Sequence, residues 1–187
     1  LYDHGRLLIN KDDPFTLSNQ VSGLGDVTKD GAGTTVFAGN NTFSGGLTVK
    51  GGTAQAGIAD NAFGSGNVTV RGGARLDLND FNETVGSLIG ETTGDGNIDL
   101  GSGTLTLNQN LPGDFSGKIS GTGGLTKNGD GDLVLYGVNT YAGATSVNRG
   151  DLVQGVIVQQ ANDGCIAIAE GMAGAEADFT KLMIKRL

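Results

Sequence analysis

The chain has 187 residues, of which 35 are glycine, against 2 prolines, 7 phenylalanines, 3 tyrosines and no tryptophan. Glycine does not recur at every third position and proline is scarce, which excludes collagen; 37% hydrophobic content in short β-branched runs argues against disorder. The formal net charge is −8 with no cluster of Lys and Arg, so no nucleic-acid partner is expected.

Residues 1–10 hold no initiator methionine and no signal-peptide pattern, and the chain is expected to be an internal piece of something longer. His4, the single histidine, lies in this stretch. A Ser-His-Asp triad would depend on it, and it is read as a surface residue. Short alternating runs then follow between glycines: Thr34-Thr35-Val36-Phe37, Asn67-Val68-Thr69-Val70, Ala74-Arg75-Leu76-Asp77-Leu78, Gly96-Asn97-Ile98-Asp99-Leu100, Thr104-Leu105-Thr106-Leu107 and Leu133-Val134-Leu135-Tyr136. Such runs, with a Gly or Asn turn every 8–12 residues or so, predict an all-β sandwich, barrel or solenoid. The solenoid is favoured. Aromatics are too few for a sandwich core, and Val, Leu, Ile, Thr and Ala suit a narrow stacked coil. Glycine fits its tight corners. The expected coil is roughly 20–25 residues, giving about seven rungs.

Displacing the sequence by 98 positions lays 22–52 over 120–150 without a gap, and 14 of the 31 positions are identical. The matches include Thr28/Thr126, Lys29/Lys127, Asn41/Asn139 and Thr42/Thr140, with Phe43 opposite Tyr141. Glycine abundance does not produce Thr-Lys and Asn-Thr-aromatic pairs in register, so the segment is duplicated. Asn41 and Asn139 sit at matching turn positions, where Asn tolerates a left-handed backbone and can bond to an adjacent rung.

The unit Gly-x-Gly-x-x-Thr-Lys-x-Gly-x-Gly, a strand, then Gly-x-Asn-Thr-aromatic-x-Gly resembles the passenger-associated repeat of autotransporters, the type V secretion proteins. Residues 123–143 carry nearly all of it, and 25–45 carry it with Val36-Phe37 in the strand. The resemblance covers about residues 5–152. It implies a right-handed parallel β-helix, exported through the periplasm and displayed on or released from the bacterial outer membrane. It also implies a C-terminal β-barrel of the same precursor as a partner. Residues 1–160 are expected to be β-helix. Residues 161–187 depart from the rhythm, with a short helix expected near 168–182. A cap, a linker toward a barrel, or residues foreign to the passenger all fit that tail.

Chemistry is sparse. Cys165 is the single cysteine, without a disulfide partner or zinc spacing, and reads as an incidental thiol. No Gly-x-Ser-x-Gly elbow occurs. Asp95-Gly96-Asn97-Ile98-Asp99 begins like an EF-hand but has Leu100 where glycine is required. Asn128-Gly129-Asp130-Gly131-Asp132 resembles a calcium β-roll, yet its counterpart Asp30-Gly31-Ala32-Gly33-Thr34 lacks the later carboxylates. Asp77, Asp80 and Glu83 are close in sequence but come without an aromatic sugar platform. No catalytic residue, metal ligand or cofactor is therefore assigned, and no enzyme is expected within the segment.

Arg149-Gly150-Asp151 is an integrin-type tripeptide whose glycine the repeat already demands, matching Gly52. The functional expectation is an adhesin or surface-interaction stalk, with host-cell or matrix components or other bacterial surfaces as partners. The alternative is a non-binding, export-assisting stalk whose protease or esterase domain lies upstream.

Overall fold

The structure, a computed structural model, describes residues 1–91 and 94–154. Cys165, the expected helix near 168–182 and the tail 161–187 lie outside the described residues.

The alternating runs become strands of two to five residues, and every ladder between strands is parallel. Paired residues lie between 19 positions apart, as Leu133 and Leu152, and 22 apart, as Thr53 and Arg75. A parallel partner one fixed step ahead in sequence can only be the next coil. The chain is thus a β-solenoid, with rungs roughly 4.8 Å apart.

Three faces run along it. Face one stacks Tyr2–Asp3, Ser22–Gly23 and Thr42–Phe43. It continues through the Asp60–Glu83 bridge into Glu83–Val85, Leu105–Asn108, Leu125–Asn128 and Thr145–Val147. From Tyr2 to Thr145 this face is revisited in about seven steps, the number of rungs expected. Face two stacks Arg6–Asn10, Asp26–Asp30, Leu47–Val49 and Val68–Val70. After residues 88–90 it resumes as Gly113–Phe115, Leu133–Leu135 and Leu152–Gln154. Face three runs from Phe15–Leu17 through Thr34–Phe37, Thr53–Ala56, Arg75–Asp77 and Asn97–Asp99 to Ile119–Ser120.

Period-two alternation sends one side of each strand into the coil. Val27, Leu47 and Val68 form one inward ladder, and Leu105 and Leu125 another. Burying each such side chain is worth roughly 1.5–3 kcal/mol before entropy is charged. Phe37, Phe43, Phe63 and Phe115 are also fully buried, Phe37 meeting Phe63 edge-on at 5.9 Å. The interior is therefore more aromatic than the all-aliphatic filling expected from the runs.

The two copies of the repeat fold alike locally. Gly31 and Gly129 take left-handed φ values of 77° and 79°. A Cβ at Gly31 would stand 2.5 Å from the Lys11 carbonyl oxygen of the coil below, so only glycine fits there.

The copies do not share a face. Starting from Val27, face two is met again at Leu47, Val68 and Leu88, with Gly113 against the Leu88 carbonyl. Two faces later come Ile119 and then Leu125, the residue that matches Val27. The 98-residue displacement is four turns and two faces, so the strand Asp26–Asp30 on face two corresponds to Leu125–Asn128 on face one. The fit survives because each corner is sealed by its own coil and the adjoining ones. In the coil joining the halves, buried Gln109 holds the corner from face one to face two. Its Oε1 accepts from Leu88 N at 2.9 Å, and its Nε2 donates to Leu88 O at 3.2 Å and Leu111 O at 2.8 Å.

Asn41 and Asn139 do bond between rungs, as expected, but through ordinary backbone geometry. The described non-glycine residues with positive φ are Asp60, Asn79 and Asp80. Neither asparagine uses the left-handed backbone that Asn tolerates, and each side chain reaches the backbone of the neighbouring coil. Asn41 Oδ1 accepts from Val21 N at 2.8 Å and Nδ2 donates to Ala62 O at 2.6 Å, spanning three coils in full burial. Asn139 Oδ1 accepts from Ile119 N at 2.9 Å, the same bond 98 residues on. Replacing Asn41 with Ala orphans a buried donor and acceptor at once. The expected cost is about 2–3 kcal/mol, read as a lower urea midpoint with an unchanged slope.

Candidate interaction surface

The outward positions of each strand are what the solenoid shows to a partner. On face one, Thr84, Thr106, Thr126 and Ser146 stand in a single column. Asn108, Asn128 and Asn148 form the next, with Asn148 Nδ2 donating to Asn128 Oδ1 at 2.7 Å and Asn128 Nδ2 to Asn108 Oδ1 at 3.4 Å. This half of face one is an uncharged array of hydroxyls and amides. The corresponding positions on face two, Asp30, Lys50 and Arg71, are charged instead. Face three carries a ribbon in which Arg75 reaches both Asp77, at 3.5 Å, and Asp99, while Gln55 Nε2 donates to Asp77 at 3.0 Å.

Exposed apolar side chains gather on face two near the end of the described residues. Leu111 is 50% exposed, Tyr136 59%, Val138 56% and Val153 42%. Beside them Pro112, Gly113, Asp114, Asp132, Val134 and Tyr136 line a shallow depression.

Arg149-Gly150-Asp151 occupies the corner leading from face one to face two, with Gly150 at φ 63°. Arg149 Nε lies 3.0 Å from Asp130 Oδ1 on the preceding coil, and both side chains are largely exposed. Asp151 N donates to Asp132 Oδ1 at 3.3 Å, and Asp151 O accepts from Leu133 N at 2.9 Å. Main-chain bonds between coils thus hold the corner, and the Asp151 carboxylate stands free of them. Asp151→Glu is expected to leave thermal stability and cell attachment unchanged, measured side by side on coated surfaces.

The other sequence candidates do not converge. Asp77 points outward to Gln55 and Arg75. Asp80 sits in a turn and accepts from Ser102 N at 2.7 Å, whereas Glu83 points into the core. Asp95 accepts from Ser116 N at 2.7 Å and Glu91 N at 2.8 Å, and Asp99 is held by Arg75. Turn and rung bonding therefore accounts for the EF-hand-like pattern. In the β-roll-like stretch, Asn128 joins the amide column while Asp130 pairs with Arg149. Exposed His4 packs its ring edge-on against Tyr2 at 4.7 Å.

Among the described residues, three buried charge-bearing side chains were missed by the sequence analysis. Lys29 lies in an inward column between Ile9 and Val49, fully buried. Its Nζ donates to the carbonyls of Asp30 at 2.9 Å, Gly31 at 2.8 Å and Gly51 at 2.9 Å. Lys127, between Leu107 and Val147, donates likewise to Gly129 at 3.1 Å and Arg149 at 2.7 Å. Burial pulls both ammonium groups below the usual lysine range, opposed by Asp30 and Asp12 around Lys29 and by Asp132, Asp151 and Asp130 around Lys127.

Glu83 stands in the column continued by Leu105 and Leu125. Its Oε2 accepts from Ala62 N at 3.1 Å while Oε1 has no partner. Burial pushes its carboxyl up to about 8, the Asp60 charge adding to the shift and the N–H groups of Ala62 and Phe63 opposing it. Alternation carried the signal in each case, since Lys29 is two residues from Val27 and Glu83 two from Val85.

The Passenger-associated-transport-repeat family matches residues 27–53 and 125–153, the two stretches built around the buried lysines. The chain is 40% identical over 169 residues to the "Adhesin BmaC autotransporter" of Brucella suis biovar 1 (strain 1330). That alignment covers 88% of this chain and 5% of the relative, so the chain spans a small part of the protein it matches. No solved structure matches. Repeat, solenoid and relative agree: the chain is a β-solenoid segment of an autotransporter passenger.

Proposed function

We propose that this segment belongs to a surface-displayed adhesin and contributes contact area to adhesion. The observation that carries this is the likeness to a protein named as an autotransporter adhesin, extending along 88% of this chain rather than over its glycine motifs alone. Physical features support it. Repeat-defining residues such as Lys29, Asn41 and Gly31 are spent on corners between coils. Outward positions are left to vary from an amide-hydroxyl array on face one to charges on face two. A long solenoid with such faces suits many weak contacts acting together.

The partners in this reading are host-cell or matrix components or neighbouring bacteria, met at the outer-membrane surface. The test coats the 187-residue chain on an inert surface and counts attached epithelial cells and matrix-coated beads. Saturable attachment above that of a blocking protein, inhibited by soluble chain, is the expected result. Attachment no greater than the blocking protein would reduce the segment to a stalk.

A further inference from the structure

We propose that the depression formed by Asp114, Asp132 and Tyr136 on face two receives a cationic side chain, arginine above all, from an extended segment of a partner protein. The inference rests on the adhesive reading and names a partner chemistry for it.

Alternation along Leu133–Leu135 and its flanks puts Asp132, Val134 and Tyr136 on one outward row. Asp114 is the neighbour of Val134 on the adjoining rung. Pro112 and Gly113 close the depression on that side. The row gives an apolar floor with a carboxylate at one end and a phenol ring at the other.

Both carboxylates have capacity to spare. Asp114 makes no side-chain hydrogen bond or ion pair among the described residues, and Asp132 accepts only from Asp151 N, at 3.3 Å. The cations nearby are committed elsewhere, since Lys127 is turned into the core and Arg149 pairs with Asp130. On a chain of net charge −8, that leaves Asp114 and Asp132 without an ion-pair partner among the described residues. A guanidinium suits this arrangement chemically. Its plane can lie on the Tyr136 ring while its fork meets carboxylate, and its methylenes cover Val134.

The test titrates the full chain with a short fluorescent peptide of alanine and serine carrying two arginines, and with the same peptide containing citrulline in their place. The arginine peptide is expected to bind, and Asp114→Asn and Tyr136→Ala each to weaken it by about fivefold or more. Asp13→Asn removes an equal charge from an exposed turn and is expected to change nothing. All three positions are exposed or lie in turns, and matching melting curves would establish that the variants fold. Equal weakening by Asp13→Asn would show attraction to bulk charge and overturn the proposal. So would equal binding of the citrulline peptide, which would point to a neutral ligand such as a saccharide. Undiminished cell attachment by an Asp114→Asn chain that has lost peptide binding would leave adhesion standing without this site. Loss of all attachment with peptide binding intact would do the reverse.

Discussion

Replacing Lys29 with Ala is expected to destabilise the solenoid by about 3–5 kcal/mol, and Lys29→Met by about 1–2 kcal/mol. Ala removes the methylenes that fill the column between Ile9 and Val49 as well as the donors to three carbonyls. Met keeps the volume and loses only the donors. Three carbonyl acceptors require three N–H groups, which only the ammonium form supplies, so Lys29 is charged within the coil. A buried charge usually costs more than it returns, unless its remaining protons are satisfied. At Lys29 they are, and the acceptors belong to a corner with few alternative donors. The gain therefore exceeds the loss.

The same changes at Lys127 should cost somewhat less, since two carbonyl bonds are formed there. The two lysines lie four turns and two faces apart, so the double variant should be additive within roughly 0.5 kcal/mol. Urea unfolding of the wild type, both single variants and the double variant checks the series. A Met variant as damaging as the Ala variant would place the whole effect in the ammonium.

Glu83→Gln is expected to stabilise the protein at alkaline pH and do little at acid pH. The carboxyl titrates at about 8 in the folded chain against an ordinary value of 4.5. Because the folded value is raised, its contribution is complete below about pH 4.5 and is lost as pH rises through about 8. The difference corresponds to about 3–5 kcal/mol across that window. Gln retains an oxygen for the Ala62 N–H and carries no charge to bury. Urea unfolding at pH 5, 7 and 9 should show wild type and variant converging at pH 5 and separating at pH 9. Since all other titrations are common to both, a separation unchanged between pH 5 and 9 would contradict the assignment. Glu83→Leu is a sharper comparison. It would extend the column of Leu105 and Leu125, yet leave the Ala62 N–H unpaired, so it should gain less than Gln at pH 9.

The solenoid is legible in the sequence because its rules are local. Alternation marks the strands, glycine marks corners such as Gly31, and duplication at 98 residues shows one corner built twice. The faces on which those corners fall are not legible. They depend on coil lengths summed through the middle of the chain, which set the second copy four turns and two faces from the first. The burial of Lys29, Lys127 and Glu83 ran against residue type, although alternation placed each beside an inward Val or Leu. Asp77, Asp80 and Glu83 separated because the coil turns between them: Asp77 points outward from face three, Asp80 sits in the following turn and Glu83 points inward from face one. The depression around Tyr136 joins residues from two coils that only the register brings together.

That register, which sets the faces a partner meets, is tested most directly by disulfide formation across the middle of the chain. Thr84 and Thr106 are paired neighbours on face one. With Cys165 changed to Ser, Thr84→Cys with Thr106→Cys should oxidise readily, since adjoining rungs place Cα atoms within the usual disulfide range. Ile89→Cys with Thr106→Cys should stay reduced. The reverse outcome would put Leu105–Asn108 on face two above residues 88–90 and both copies of the repeat on one face, contradicting the account.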